Sequence, residues 1–160
     1  MARSSNRIPA DKNIRETVRV IIERQFGGKL ADYVASSDSL EIELSPRTGR
    51  IRHVFIGNKR ILTMRASDGL FTISLDFARI VLDLCKEKKY RVISEKNIEL
   101  KGSLLVPGVV DCDENIRPGD EVVIIDVDGR LLGVGKARIS CVAMKTSLKG
   151  EAVRVRARSN

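Results

Sequence analysis

Turn residues cut the second half of this 160-residue chain into short pieces. Pro107-Gly108, Arg117-Pro118-Gly119-Asp120, Asp128-Gly129 and Lys149-Gly150 separate runs rich in Val, Ile and Leu. β-branched runs between glycine turns at a spacing of about 8–12 residues suggest a small closed or nearly closed barrel. Within this stretch Glu121–Val127 reads as a strand buried on both faces. Asp128-Gly129 then reads as a hairpin turn, and Arg130–Ile139 as the returning strand. Ser140 is placed to cap a short helix through Leu148, and Ala152–Ala157 alternates apolar residues with arginines as a final strand. Leu104–Val110 is a strand broken at Pro107-Gly108, and Glu95–Lys101 is expected to make one or two helical turns that Gly102 ends.

The first half has a different rhythm. Residues 1–11 read as a flexible basic arm. Ile14, Val18, Ile21, Ile22 and Phe26 then fall on one helical face, with Asn13 as the expected cap and Gly27-Gly28 as the stop. Leu40, Ile42 and Leu44 alternate with Glu41 and Glu43. Strands at 51–56, 60–65 and 70–74, joined by glycine turns, complete an antiparallel meander before a second amphipathic helix over 75–88. The charged break Lys86–Lys89 is the expected boundary. The expectation is thus α+β: an arm at 1–11, a helix-flanked antiparallel sheet over 12–88, and a pseudo-barrel with short helices over 89–160.

With 42% hydrophobic residues the chain can build a core. No apolar run approaches the ~20 residues of a membrane span, and Met1–Lys12 has no apolar core of a secretion signal, so a cytoplasmic location is expected. Cys85, Cys112 and Cys141 are odd in number, widely spaced and accompanied by one histidine. They are expected to be three reduced, small apolar side chains, with no metal site and no cofactor. Asp111–Glu114 is read as an acidic turn rather than a metal site, and His53 as a half-buried or solvent-facing strand residue. No nucleophile–base pair or phosphate-cradling glycine loop is visible, so no enzyme is expected.

The formal net charge is +8, unevenly distributed. Residues 47–67 carry Arg47, Arg50, Arg52, Lys59, Arg60 and Arg65 and no acid, while residues 145–160 carry five bases against one acid. Between Lys89 and Met144 eight bases meet nine acids. Clustered positive charge is what a phosphate backbone attracts. With only four Phe, two Tyr and no Trp, base stacking on an aromatic platform is not the expected mode.

Leu-Lys-Gly-Ser-Leu-Leu-Val-Pro-Gly-Val-Val-Asp (100–111), Arg-Pro-Gly-Asp-Glu-Val (117–122), Asp-Gly-Arg-Leu-Leu-Gly-Val-Gly-Lys-Ala (128–137) and Lys-Gly-Glu-Ala-Val-Arg-Val-Arg (149–156) resemble, in order and spacing, the PUA domain. This RNA-binding module is named after pseudouridine synthases and archaeosine transglycosylases. Gly49–Phe55 and Leu62–Thr72 are similar to the segment preceding it in the archaeal tRNA-guanine transglycosylase family, whose catalytic barrel and zinc site would not fit in this length. The resemblance implies a PUA-type pseudo-barrel and an RNA face at Lys101, Gly102, Ser103, Leu104, Val106, Arg154, Arg156 and Arg158. Gly102 would admit close backbone approach. Arg50, Arg52, Lys59, Arg60 and Arg65 are expected to form a secondary basic surface. It further implies a non-catalytic accessory or targeting factor that docks structured RNA, the tRNA acceptor end above all, with an RNA-modification enzyme or the ribosome as further partners. The alternative is a partner subunit whose basic surface meets a protein, such as a separately encoded RNA-modification enzyme.

Overall fold

The computed structural model describes residues 6–160, which divide into two compact units at Phe77/Ala78. In the first, β1 (Arg7–Pro9) is followed by α1 (Lys12–Phe26), α2 (Gly28–Ala35), β2 (Leu40–Leu44), β3 (Ile51–Ile56), β4 (Lys59–Met64) and β5 (Phe71–Ile73). The five strands lie in sequence order, every pair antiparallel. The cap of α1 is Asp11, not Asn13: its carboxylate accepts from the Ile14 amide at 2.8 Å. Gly27, at φ 86°, ends the helix. Val18, Ile22 and Phe26 are buried on α1, and Ile42, Val54, Leu62 and Ile73 on facing positions of the sheet. Gln25 joins α1 to β5, donating to the Phe71 carbonyl at 2.9 Å and accepting from its amide at 2.7 Å.

Part of the expected basic arm is structured. Residues 1–5 lie outside the described residues, but Arg7–Pro9 pairs with Glu41–Glu43 as an edge strand and Ala10 is buried. Arg7 is held by Glu41 at 2.6 Å and lies 4.1 Å over the Phe55 ring. Three residues with one proline give almost no periodicity, so the strand is set by its neighbour rather than by its own pattern.

The division between units falls within α3 (Leu75–Leu84), shorter than the expected 75–88. The second unit continues with β6 (Arg91–Ser94), β7 (Ser103–Leu105), a 3-10 turn at Val106–Gly108, β8 (Val109–Cys112), β9 (Glu121–Asp126), β10 (Leu131–Ala137), α4 (Cys141–Thr146) and β11 (Glu151–Arg158). Their order is β7-β11-β10-β9-β6-β8, antiparallel except for β6 against β9, and the mixed sheet curls into a near-barrel. β9 is buried along its whole length, as its sequence predicts. Its core includes Val92, Leu104, Val122, Ile124, Met144 and Val153. Ser140 caps α4, accepting from the Ala143 amide at 3.1 Å.

Two expectations fail in this unit. Residues 95–101 form no helix; a turn at Lys96-Asn97, with Asn97 at φ 64°, leads into chain without regular structure. Cys112 and Cys141 are not free thiols but a disulfide that ties the end of β8 to the start of α4, leaving Cys85 free. A separation of 29 residues carries no local signal, and only the folded barrel brings these two side chains together.

Candidate nucleic-acid interface

Ala152 and Val153 are both buried where the register of β11 shifts, and from Val153 onward alternation exposes Arg154, Arg156 and Arg158 on one face, as the sequence pattern requires. β11 lies between β7 and β10, with Arg154 directly opposite Ser103 on one side and Lys136 on the other. A row of outward side chains, Ser103–Arg154–Lys136, therefore crosses three strands. Lys136 is exposed and, among the described residues, in no ion pair. It was not among the expected site residues, because Gly-Val-Gly-Lys-Ala has too little alternation to show which way its lysine points.

Lys101 and Gly102 immediately precede Ser103 and are exposed, Lys101 in no ion pair among the described residues. The Gly102 carbonyl accepts from the Val155 amide at 2.9 Å, which pins the junction of β7 and β11. A Cβ at Gly102 would meet nothing within 4 Å, and the residue does not occupy the left-handed region. Nothing in the fold demands glycine here. Leu104 and Val106, by contrast, are buried at 1% and 5% exposure, so their side chains belong to the core and offer no surface to RNA. On β7 the alternation turns Ser103 outward and Leu104 inward, and Val106 already belongs to the 3-10 turn.

The arginines are not equally available. Arg156 donates from Nη1 to Glu121 Oε2 at 3.2 Å and from Nη2 to Glu121 Oε1. The Glu121 carboxylate is almost fully buried, and Arg156 compensates its charge. Arg154 donates from Nε and Nη2 to Glu151, at 2.9 and 3.2 Å. The Arg154 bond, then Ser103, hold the Glu151 carboxyl below its usual range, and Glu151 raises Arg154. Arg158 donates to the Leu100 carbonyl at 3.0 Å.

The acid-free run of the first unit does not fold into one patch. Exposed Arg47, Arg50 and Arg52 sit at the end of the sheet where β2 passes to β3, the end shared with Arg65 after β4. Lys59 and Arg60 follow the Gly57-Asn58 turn at the opposite end, about 17–20 Å along the strands. Arg65 is itself held by Asp68 at 2.7 Å. His53, on the strand between the two ends, bonds Thr63 at 3.0 Å and lies 3.7 Å from Glu43. Its burial, then the Arg60 cation, push its imidazole below the ordinary value.

Among the described residues no group of three or more His, Cys, Asp or Glu is placed to hold a metal ion, and no helix is long and apolar enough to cross a membrane. In the expected acidic turn, Asp111 pairs with Lys145 at 3.0 Å and Lys88 at 3.1 Å. Hydrogen bonds from Lys145, the Cys112 amide and Lys88 hold its carboxyl down to about 2.

Residues 16–88 match the patch-forming domain C2 of tRNA-guanine transglycosylase, and residues 92–158 match the PUA domain. The chain is 36% identical to the tRNA-guanine(15) transglycosylase of Methanothermobacter thermautotrophicus over 88% of its own length and 22% of the relative's. It is 34% identical to that of Pyrococcus furiosus over 92% and 25%. The chain thus spans about a quarter of the curated relatives it matches. In fold it is similar to a hypothetical protein from Pyrococcus horikoshii (TM-score 0.70, 22% identity, covering 95% of this chain and 93% of that one). A conserved PUA domain protein from Thermoplasma acidophilum is also similar (TM-score 0.65, 16% identity, 96% and 94%).

Proposed function

We propose that this PUA-domain chain, which matches the C2-plus-PUA region of the archaeal tRNA-guanine(15) transglycosylases, docks structured RNA without chemistry of its own. The observation that carries the reading is the outward row at the β7–β11–β10 junction. Lys136 stands opposite Arg154 and Lys101 two residues before Ser103, both exposed and in no ion pair among the described residues, and Gly102 is a glycine that neither packing nor backbone conformation requires. A surface glycine with open space above it fits a site where a ligand's backbone comes close to the chain.

On this reading, lysine and arginine neutralise phosphates while the Gly102 and Ser103 amides meet ribose or phosphate oxygens, a mode suited to the shape of an A-form duplex. The relatives' names make tRNA the preferred RNA, and the acceptor-stem end is the preferred part of it. Residues 89–160 act as the docking module. Residues 12–88 supply two separate basic ends as secondary contacts. The chain would work in the cytoplasm, where tRNA is, as an accessory or targeting factor beside an RNA-modification enzyme or the ribosome.

The test is fluorescence anisotropy with tRNA transcripts, intact and CCA-trimmed, at two salt concentrations. Lys101→Glu and Lys136→Glu are each expected to weaken binding and to lower the salt slope by about 0.9 per lost phosphate contact. Trimming is expected to weaken it as well. Binding that ignores trimming and both substitutions would reduce the claim to nonspecific adhesion. No binding at moderate salt would favour a protein partner for the basic surface.

A further inference from the structure

Glu151 stands at the start of β11, and its carboxylate folds back over the outward face. Oε2 accepts from the Ser103 hydroxyl and from Arg154 Nε at 2.9 Å. Oε1 accepts from Arg154 Nη2 at 3.2 Å and lies 3.4 Å from Arg138 Nε. Three side chains from β7, β11 and the chain just after β10 thus converge on the two oxygens of one carboxylate, with Arg154 gripping it by a two-pronged fork. A hydroxyl, a forked guanidinium and a second guanidinium are the donor set that recognises a phosphate as readily as a carboxylate.

We infer that Ser103, Arg138 and Arg154 form a phosphate-binding site, occupied in the free protein by the Glu151 carboxylate, which an incoming phosphodiester displaces. Three features support displacement over a permanent structural pair. Arg154 and Arg138 are 57% and 49% exposed, so an incoming oxyanion reaches both from solvent. The Glu151 side chain is itself 22% exposed, so the carboxylate keeps access to solvent. The contrast with Glu121 is sharp: that carboxylate is sealed beneath Arg156 and cannot leave without stranding a buried charge. Arg154 is therefore the exchangeable arginine of β11 and Arg156 the fixed one.

This inference rests on the RNA-docking reading, and the experiment separates the two. Anisotropy with a tRNA transcript compares the wild type, Glu151→Gln, Arg154→Gln and the double variant. Glu151→Gln is expected to bind about two- to fivefold more tightly, the range of an exposed ion pair removed from competition. The gain is expected to disappear in the Arg154→Gln background. Unchanged or weaker binding by a folded Glu151→Gln, with the wild type binding normally, overturns the inference and leaves RNA docking intact.

A second measurement needs neither RNA nor a variant. In the wild type titrated with inorganic phosphate, the Arg154 Nε and Glu151 carboxyl NMR signals are expected to move together, with Arg138 Nε following. Arg154 moving while Glu151 stays still, or neither moving, also overturns it. If RNA fails to bind while phosphate moves all three, the site stands and the RNA reading falls.

Discussion

A Cβ built on Gly135 would overlap the carbonyl oxygen of Arg154 and lie 2.9 Å from its carbonyl carbon. The strand carrying the candidate site runs so close over β10 that only glycine fits beneath it, at a register shift between Val134 and Gly135. Gly135→Ala is expected to lose about 1–3 kcal/mol, as overpacked sites do. For a domain of this size that lowers the melting temperature by about 4–8 °C per kcal/mol, readable by calorimetry. An unchanged melting temperature would mean that β11 yields freely.

Gly102→Ala is the complementary experiment. Its Cβ has open space and its backbone is ordinary, so stability is expected to stay within about 0.5 kcal/mol of wild type. RNA affinity is nevertheless expected to fall. Equal loss of stability and affinity would show that the glycine serves the fold.

Arg154 and Arg156 look equivalent in sequence and are expected to behave differently. Arg154→Gln breaks an exposed pair and is expected to change stability by less than about 1 kcal/mol. Arg156→Gln leaves the buried Glu121 carboxylate without its arginine and is expected to cost about 2 kcal/mol, the partial exposure of Arg156 reducing the full penalty. Denaturant melts of the two variants, run side by side, decide it.

The Cys112–Cys141 bridge encloses a 29-residue separation, for which chain entropy alone gives about 3–4 kcal/mol. Thiol titration of the unfolded, unreduced protein is expected to find one reactive cysteine, Cys85, and three after reduction. Reductant is expected to lower the melting temperature by about 15 °C or more. Three thiols before reduction would contradict the bridge.

Two groups give the stability a readable pH dependence. The chain has one histidine, so a single NMR titration reports His53, expected below the ordinary 6.5. A lowered histidine contributes stability fully present above 6.5 and lost as pH falls through that value toward the folded one. Asp111, held down to about 2 by Lys145, the Cys112 amide and Lys88, contributes stability present above its ordinary value of 3.8. That contribution is lost as pH falls from there toward 2. Removing the partner in Lys145→Met is expected to raise the Asp111 midpoint and flatten this lower limb of the melting curve.

The features legible from the amino-acid order are the local ones. The apolar stripe of α1, the fully buried β9, the serine cap of α4 and the glycine turns that cut the barrel are all decided within a few neighbouring residues. So are the alternation of β11 and the motifs at 100–111 and 149–156, and the structure keeps each of them. Everything that depends on a distant partner waits for the folded chain. Arg156 meets a glutamate 35 residues away, and Cys112 a cysteine 29 away. Arg7–Pro9 becomes a strand only because Glu41–Glu43 offers it an edge. A contiguous basic run is sent to two ends of one sheet because a hairpin reverses the chain in its middle. Charge in a sequence is a sum over residues, whereas the charge available to a ligand is what remains after ion pairing and burial. Those are settled only when the strands are in register.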